Sequence, residues 1–289
     1  MTSSSARPRS SGASRPEDPP LASGRTPRVA AARRLTRRPR RDDERRFLAE
    51  GPQAVREALA LAPDAPGAPS LLLGTPSALA RYAELVASAR VPVIPVDEAG
   101  MAGLSETVSP QGLVAVCSFL DVPLSVVSAA APRLVAVLAE IQDPGNAGTV
   151  LRTADAAGAG GVVFTDGSVD PYNGKCVRAS AGSLFHPPVV RGAPAEAAVA
   201  SLREAGLQVL AADGYGEADL DDLADAGALG KPTAWVFGNE ARGLPESLAE
   251  LADARVRIPI HGRAESLNLA AAAAVCLYAS ARAQRRAGQ

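Results

Sequence analysis

Residues 235–274 read WVFGNEARGLPESLAELADARVRIPIHGRAESLNLAAAAA, and the rest of the chain is interpreted around them. The stretch contains two apolar strand signals, WVF and RVRIPI, and each runs into a loop of glycine and polar residues. The second loop leads directly into a long alanine-rich helix. Two such loops predict a ligand site, because ligands of open parallel sheets bind outside the carboxyl ends of the strands.

The chain before this stretch alternates strand and helix signals. Residues 133–141, RLVAVLAEI, form a continuous apolar run that is typical of a strand buried on both faces. The loop QDPGN follows, then a helix predicted at 147–157, and then the strand GVVF. The pattern repeats as far as TAWVF and RVRIPI. This alternation predicts an α/β fold whose open parallel sheet carries helices on both faces.

A smaller α/β unit precedes this sheet. FLAEG and PQAVREALALA, from Arg46 onwards, predict a strand and a helix, and three further strand signals end with GLVAVCSFL. The unit has no cluster of catalytic residue types, so we assign it to substrate binding. We therefore predict a substrate-binding domain at 46–122, a linker rich in Ser, Ala and Pro at 123–132, and the larger domain at 133–289.

Basic residues concentrate at the N-terminal end. Residues 1–46 contain thirteen arginines against five acidic residues, a net charge of +8, whereas the remaining residues carry −9. Because this end has few apolar residues, we predict a disordered basic arm at 1–45 with a short helix at 29–38. The charge segregation indicates a polyanion such as RNA as a partner, with a solubilising tail as the alternative. Aromatic residues make up only 3% of the chain, which argues against recognition of single strands by base stacking.

The composition argues against several other classes of protein. Cys117, Cys176 and Cys276 lie far apart and lack metal-ligand spacing, so we predict reduced thiols, no metal site and a cytoplasmic location. No apolar run approaches the ~20 residues that span a bilayer. An arginine- and serine-rich start also resembles a transit peptide, and this alternative stays open.

Three segments that follow strand signals resemble a known family. Residues 146–152 (NAGTVLR), 237–245 (FGNEARGLP) and 258–275 (IPIHGRAESLNLAAAAAV) resemble, in order, the motifs of the SpoU or TrmH-type branch of the SPOUT class of RNA 2′-O-ribose methyltransferases. RASAGSLFHPPV at 178–189 resembles the family's intermediate segment. FLAEGPQAVREAL and SPQGLVAV resemble the ribosomal-protein-like substrate domain of its rRNA-modifying members. The resemblance extends over residues 46–285.

The resemblance implies methylation of a ribose 2′-hydroxyl in RNA, with S-adenosyl-L-methionine as the cofactor and 23S-type rRNA as the expected substrate. It also implies a C-terminal trefoil knot and a homodimer. The catalytic residues that it implies are Asn146, Arg152, Glu240, Ser266 and Asn268. The cofactor-binding residues that it implies are Phe237, Gly238, Asn239, Gly243, Ile258, Ile260, Ser266 and Leu267.

Removal of the hydroxyl proton is the least determined part of this expectation. We expect Arg152 to position a phosphate and stabilise alkoxide charge, because a guanidinium at neutral pH has no acceptor lone pair. Glu240 either accepts the proton or orients its neighbours, and Ser266 is equally explained as a helix cap. His261 is a tempting base because imidazoles titrate near neutral pH, but we interpret it as a loop histidine and His186 as structural.

Two other functions stay open at this point. A tRNA 2′-O-methyltransferase would carry the same motifs, although the added N-terminal domain favours rRNA. A non-catalytic rRNA-binding or assembly factor would keep the fold, although the presence of Asn146, Arg152, Glu240 and Asn268 favours an enzyme. The expected partners are RNA, bound by the first domain and the basic arm, and a second copy of the chain.

Overall fold

A computed structural model describes residues 21–107 and 109–287, so the part of the predicted basic arm before residue 21 lies outside the described residues. The strands are Arg46–Glu50 (β1), Pro69–Gly74 (β2), Val93–Pro95 (β3), Leu113–Ser118 (β4), Leu134–Leu138 (β5), Val162–Thr165 (β6), Val189–Ala193 (β7), Gln208–Ala212 (β8), Ala218–Asp219 (β9), Thr233–Phe237 (β10) and Ala254–Arg257 (β11). The α-helices are Pro27–Arg34 (α1), Arg38–Glu44 (α2), Pro52–Ala60 (α3), Pro76–Arg81 (α4), Ala83–Ala87 (α5), Glu98–Ala102 (α6), Leu124–Ala129 (α7), Pro144–Ala157 (α8), Gly174–Ser180 (α9), Ala195–Glu204 (α10), Leu220–Asp225 (α11), Glu246–Glu250 (α12) and Leu269–Ala287 (α13). Short 3₁₀ turns cover Ser183–Phe185 and Ala228–Gly230.

The larger sheet has seven parallel strands in the order β7-β6-β5-β10-β8-β11-β9. Its three central strands end level, because Phe237 of β10 lies opposite Leu138 of β5 on one side and Ala212 of β8 on the other. The loops that follow these strands therefore leave the sheet at the same edge. The predicted α/β fold with an open parallel sheet is confirmed.

Helices cover both faces of this sheet, as predicted. Along β10, Trp235 and Phe237 are buried in the core on the face of α8 and α13, whereas Ala234 and Val236 are buried on the face of α10. Side chains of a strand alternate between the two faces of a sheet, and here both sets are apolar. This double burial explains why the strand signals are continuous apolar runs.

The last helix, α13, is held against β10 by polar contacts inside the core. The indole Nε1 of Trp235 donates a hydrogen bond of 2.9 Å to Ser280 Oγ, and both residues are buried. Gln284 Nε2 donates to the carbonyl oxygens of Arg133 and Lys231, each at 2.8 Å. These contacts fix the helix that follows the loop at 258–268. Within residues 21–107 and 109–287, neither α13 nor another helix is long and apolar enough to cross a membrane.

Two element boundaries near the polar loops differ from the prediction. Strand β11 ends at Arg257, so Ile258 and Ile260 lie in the loop and not in the predicted strand RVRIPI. Pro259 between them cannot donate to a strand ladder. Helix α8 begins at Pro144, three residues before the predicted start, because Asp143 caps it by accepting a hydrogen bond of 2.8 Å from the Asn146 backbone N–H. The C-terminal trefoil knot stays a prediction, since strand order and pairing do not describe the threading of the chain.

The smaller sheet has the order β1-β4-β2-β3, in which β4 pairs antiparallel with β1 and β2, and β3 pairs parallel with β2. Two short helices, α4 and α5, follow β2 and meet at Tyr82. The predicted linker at 123–132 contains helix α7, whose Val127 is buried in the core of the larger domain. The linker is therefore packed and not an extended spacer.

Residues 21–45, predicted as part of a disordered basic arm with one short helix at 29–38, are instead ordered around two helices. Helices α1 and α2 occupy most of this segment, and Pro39 lies in the first turn of α2, where its missing N–H costs nothing. Val29, Ala32 and Leu35 are buried in the core of the first domain. Their spacing of three residues places them along one side of the segment, which was obscured in the sequence by the surrounding arginines.

One arginine of this segment, Arg41, joins the two domains. Its Nε and Nη2 atoms donate to Asp170 Oδ2 at 2.9 and 2.8 Å, and the two side chains are only 4% and 3% exposed. Its Nη1 atom donates to the carbonyl oxygens of Leu35 and Thr36. The buried charges are thus paired and hydrogen-bonded, which a charge needs in order to be buried.

Aromatic packing also joins the domains. The ring of Tyr172 from the larger domain stacks on Phe119 at a centroid distance of 4.0 Å and lies 4.7 Å from Phe47. Its hydroxyl accepts from the backbone N–H groups of Leu120 and Asp121 and donates to the Asp121 carboxylate at 2.8 Å. Burial, followed by the Asp121 charge, raises the pKa of Tyr172 above its usual value, so the hydroxyl stays protonated.

His186 lies between carboxylates of the two domains. Its Nδ1 atom is 2.7 Å from Asp155 Oδ2 in α8, and its Nε2 atom is 3.2 Å from Glu57 Oε2 in α3. The hydrogen bond to Asp155 raises the pKa of His186 above its ordinary value, despite the opposing effect of burial. These contacts describe a bridge between domains, in line with the structural interpretation of this residue.

The substitution Arg41→Ala should lower the free energy of unfolding by about 3 kcal/mol. Removal of one partner of a buried ion pair leaves the other charge uncompensated and costs roughly 3–5 kcal/mol. We expect the lower end because Arg191 Nε also lies 3.4 Å from Asp170. Urea denaturation measures the change, and Arg40→Ala is the control, since the Arg40 and Asp43 side chains are 3.7 Å apart and more than half exposed. The control should cost less than about 0.5 kcal/mol, and equal losses would contradict the role of Arg41.

Candidate active site

Three loops meet at the carboxyl edge of the larger sheet. They follow β5 (139–143), β10 (238–245) and β11 (258–268). Asn239 ties the first two together, because its Nδ2 atom donates to the Glu140 carbonyl oxygen at 2.9 Å. Its Oδ1 atom accepts from the backbone N–H groups of Ala241 and Arg242. With its side chain used inside the loops and 8% of the residue exposed, Asn239 shapes the site and offers a ligand mainly its backbone.

Two glycines make the β10 loop sterically possible. A Cβ atom on Gly238 would lie 2.6 Å from both the Gly243 carbonyl carbon and the Leu244 nitrogen, so any side chain there would strike backbone. Gly243 adopts a φ of 70°, which other residues rarely adopt. Asn239 and Gly243 exchange two backbone hydrogen bonds of 2.9 Å across the turn. The pattern GNEARG thus encodes a tight loop with closely spaced backbone.

Glu240 extends from this loop towards the N-terminus of α8. Its carboxylate accepts hydrogen bonds of 3.2 Å from the backbone N–H groups of Gln142 and Asp143 and from Asn146 Nδ2. Burial alone would raise the pKa of Glu240, but these hydrogen bonds and one from its own backbone outweigh burial and lower it. Glu240 is therefore an ionised acceptor at neutral pH.

The third loop joins the network through Asn268. Its Nδ2 atom donates to Asn146 Oδ1 at 3.1 Å, and its Oδ1 atom accepts from the Ala270 backbone N–H at the start of α13. Asn268, Asn146 and Glu240 therefore form one hydrogen-bond chain across all three loops. The structure brings these three residues together, although Asn146 and Asn268 are 122 positions apart in the sequence.

Two side chains that the sequence analysis did not select stabilise the start of α8, where Asn146 lies. Asp143 caps α8, and its Oδ2 atom lies 2.6 Å from Lys175 Nζ at the start of α9. The hydrogen bond from Lys175, together with that from the Asn146 backbone, lowers the pKa of Asp143. An Asp that precedes a proline at the first helical position is a helix-start signal, so Asp143 was detectable in the sequence. Lys175 had no such signal, because its partner lies on another element.

Arg152 is exposed on α8. Within residues 21–107 and 109–287 its side chain has no hydrogen-bond or ion-pair partner. It lies six residues after Asn146, which at 3.6 residues per turn places it about 240° further around the helix. Arg152 therefore has its guanidinium available to a ligand, but on a different side of α8.

The loop at 258–268 presents unsatisfied backbone and apolar side chains. Among the described residues, none at 259–267 takes part in a hydrogen bond. Ile260 and Leu267 are 38% and 40% exposed, whereas Ile258 is half-buried. The Ser266 hydroxyl is exposed, and Asn268 rather than Ser266 accepts the N–H that caps α13. His261 is exposed in the same loop, and Phe237 is fully buried, so Phe237 can offer only backbone.

Comparison with protein families identifies the two domains. Residues 133–278 match the family described as the SpoU rRNA methylase family, and residues 26–115 match a domain described as the MRM3-like substrate binding domain. The first match contains all three loops. The second begins inside the segment of α1 and α2, in agreement with the packing of these helices in the first domain.

Individual relatives agree with these matches. The chain is 38% identical over 184 residues to the 23S rRNA (guanosine(2553)-2′-O)-methyltransferase RlmP of Bacillus subtilis. The matched region covers 63% of this chain and 70% of the relative. It is 40% identical over 151 residues to the 23S rRNA (uridine(2479)-2′-O)-methyltransferase of Streptomyces viridochromogenes, over 50% of this chain and 51% of that protein. The crystal structure of an AdoMet-bound rRNA methyltransferase from Sinorhizobium meliloti superimposes with a TM-score of 0.73 at 34% identity, over 89% of this chain and 94% of that chain.

The substitution Gly238→Ala should lower the free energy of unfolding by about 1–3 kcal/mol, the usual cost of inserting a methyl group where none fits. The added Cβ atom would meet backbone atoms at 2.6 Å, and these cannot rotate away. Gly262→Ala is the matched control, because a Cβ atom there has no neighbour within 4 Å. Urea denaturation of both variants tests the assignment. A loss in Gly262→Ala as large as that in Gly238→Ala would show that the effect is not steric.

Proposed function

Because the chain belongs to the SpoU rRNA methylase family, we propose that it transfers a methyl group from S-adenosyl-L-methionine to the 2′-hydroxyl of a ribose in 23S-type ribosomal RNA. The observation that carries the proposal is the hydrogen-bond chain of Asn268, Asn146 and Glu240 at the meeting point of the three motif loops. The reaction and substrate class named for the two relatives support it, as does the AdoMet bound to the superimposed rRNA methyltransferase.

The loops after β10 and β11 fit the proposed cofactor. A ligand with a heteroaromatic ring and several polar groups needs apolar contact and free hydrogen-bonding groups. Ile260 and Leu267 supply exposed apolar surface, and the backbone at 259–267 supplies N–H and C=O groups without partners among the described residues. When bound, S-adenosyl-L-methionine supplies a methyl group on a positively charged sulfur. The residues that we assign to hold it are Phe237, Gly238, Asn239, Gly243, Ile258, Ile260, Ser266 and Leu267.

The side chains around Asn146 are assigned to positioning the ribose. Asn146 donates to Glu240 and accepts from Asn268, so both ends of its carboxamide are fixed in orientation. We assign Glu240 to holding this orientation and not to proton removal, because an efficient general base has a pKa near the working pH and that of Glu240 is lowered. The Ser266 hydroxyl is exposed two residues before Asn268 in the chain and is assigned to a hydrogen bond with the ribose or the cofactor carboxylate.

Arg152 is assigned to the RNA backbone. Its guanidinium is exposed and has no acidic partner within the described residues, so it is available to clamp a phosphate and to stabilise negative charge on the 2′ oxygen. Proper alignment of donor and acceptor can account for much of the rate of a displacement reaction. Charged and amide groups that position the ribose therefore suffice for a large part of the proposed catalysis.

The first domain and its arginine-rich helices are assigned to RNA binding. The match of residues 26–115 to a substrate binding domain supports this assignment. Four arginines of segment 21–45 and the first residue of β1 are exposed and have no acidic partner among the described residues, namely Arg25, Arg28, Arg33, Arg37 and Arg46. Cationic side chains of this kind supply the sequence-independent part of nucleic-acid affinity.

A homodimer is also part of the proposal. Helix α13 exposes Ala271, Val275 and Tyr278 at intervals of four and three residues, which lie on one face. Val275 and Tyr278 are 42% and 47% exposed, and this apolar face continues the exposed side chains of the preceding loop. A second copy of the chain would cover it close to the site. A cytoplasmic location stays a prediction from the cysteines, all of which are reduced and buried.

Incubation of the protein with labelled S-adenosyl-L-methionine and total cellular RNA tests the proposed function. We expect label in the large ribosomal RNA, recovered after nuclease digestion as a 2′-O-methylated nucleoside. Label in tRNA would show that the substrate is tRNA and not ribosomal RNA. Label on a base would refute methylation of the ribose. Binding of RNA without transfer, together with no cofactor binding by calorimetry, would identify a non-catalytic factor.

The substitution Arg152→Ala should reduce kcat by at least about 100-fold, which is typical for removal of one group that stabilises developing charge. Affinity for S-adenosyl-L-methionine should change less than about twofold, because Arg152 is on α8 and is not one of the residues assigned to hold the cofactor. Arg203→Ala is the control, since Arg203 lies on α10, on the other face of the sheet, and is paired with Asp253. Equal activity of Arg152→Ala and the control would contradict the assignment.

A further inference from the structure

A cleft of about 360 Å³ opens between the two domains, and its lining residues lie outside the three loops. Its size falls within the range of roughly 300–1,000 Å³ that small-ligand sites occupy. Its lining is mostly polar, with Ala54, Val177 and Ala181 as the apolar residues. The polar residues are Glu50, Gln53, Thr107, Ser109, Gln111 and Arg178.

Two carboxamides meet at one wall of the cleft. Gln53 and Gln111 are both exposed, and within residues 21–107 and 109–287 neither side chain has a hydrogen-bond partner. A Cβ atom added to Gly51 would collide with Gln111 Oε1 and lie 3.9 Å from Gln53 Oε1, so the two amide groups are neighbours. Gly51 itself has a φ of 93°, a conformation that suits glycine. Because Gly51 has no side chain, there is room for the adjacent carboxamides of Gln53 and Gln111, each of which has a hydrogen-bond donor and an acceptor.

The charges in the cleft cancel. Arg178 Nη1 donates to Glu50 Oε2 at 2.7 Å, and Glu50 also accepts from Ser105 Oγ at 2.5 Å. The Glu50 side chain is only 5% exposed, so the pair is largely withdrawn from solvent. Neutral amides and hydroxyls are thus the groups that remain for a ligand. A phosphate site would need uncompensated cations, whereas carboxamides form paired hydrogen bonds with the edges of nucleobases.

The bottom of the cleft offers a ligand little apolar surface, because Ala54 of α3 and Val177 of α9 line it and are almost completely buried. Recognition in the cleft would therefore rest on hydrogen bonds from Gln53 and Gln111. Hydrogen bonds to base edges are one of the contacts by which proteins read unstacked bases of RNA.

Helix α9 connects the cleft to the site. Lys175 in its first turn contacts Asp143, the cap of α8, and Arg178 in the next turn lines the cleft. Three residues of α-helix advance about 4.5 Å, so a base in the cleft would lie close to the target ribose along the same RNA strand. On this basis, and resting on the proposed function, we propose that the cleft binds an unstacked nucleobase near the methylated nucleotide and that Gln53 and Gln111 read its edge.

The double variant Gln53→Ala/Gln111→Ala tests the proposal by kinetics. We expect kcat/KM for ribosomal RNA to fall at least about tenfold, mainly through KM, because a bidentate amide–base contact contributes roughly 1–3 kcal/mol. Affinity for S-adenosyl-L-methionine should stay at the wild-type value, which also shows that the variant folds. Ser125→Ala, an exposed substitution on α7, is the control and should match wild type. A kcat/KM within twofold of wild type would overturn the proposal.

A second measurement does not depend on activity. The three native cysteines are fully buried, and burial raises the pKa of each thiol. Because position 111 is exposed, Gln111→Cys introduces a thiol that reacts much faster with an alkylating reagent than the native ones. Ribosomal RNA should slow its alkylation by iodoacetamide at least fivefold relative to an RNA homopolymer at equal concentration, and S-adenosyl-L-methionine alone should not. Equal protection by both RNAs, or none, would overturn the proposal. If wild type fails to methylate RNA, the proposed function fails, whereas this protection still tests the cleft as an RNA site.

Discussion

The parallel pairing of β10 with β5 is the contact on which the site depends. Phe237 lies opposite Leu138, and the ladder continues one step further as the Ala139 N–H donates to the Phe237 carbonyl oxygen at 2.8 Å. The loops after both strands therefore begin at the same level, where Asn239 reaches the backbone of Glu140 and Glu240 reaches the start of α8. A slip of one residue in this register would turn the buried side chains of β10 to the wrong faces and move both loops apart.

The first domain is held against this framework by polar contacts as well as by packing. The buried pair of Arg41 and Asp170, the pair of Arg178 and Glu50, and the stacked ring of Tyr172 lie at different points of the interface. Charges withdrawn from water need well-oriented partners, and such contacts specify one relative placement more strictly than apolar surface does. An RNA bound to the first domain would thus be held at a defined position relative to the three loops.

The arginines of the N-terminal segment divide between structure and recognition. Arg41 is inside the interface, whereas the neighbours without acidic partners among the described residues are exposed on the first domain. A basic segment of this composition would bind a polyanion even as an unfolded chain. By packing Val29, Ala32 and Leu35 into the core, the protein instead presents its charges from fixed helices of the first domain.

The sequence by itself determined the α/β class, the parallel sheet and the three polar loops. Each of these rests on local information: apolar runs that need burial on both faces, glycines that permit tight turns, and motifs of contiguous residues. The pairing of Asn146 with Glu240 and Asn268 was only implied by family resemblance, and the structure supplies its hydrogen bonds.

The tertiary structure decided what depends on partners far away in the chain. Segment 21–45 is held by the packing of its apolar residues in the first domain and by the pairing of Arg41 with Asp170, 129 residues later. The support of α8 by Lys175 follows from the packing of α9 on α8. The cleft between Gln53, Gln111 and Arg178 exists only because two domains meet there. Composition and periodicity describe which surfaces an element must bury, but not which distant element will cover them, since that choice is made by the packing of the whole chain.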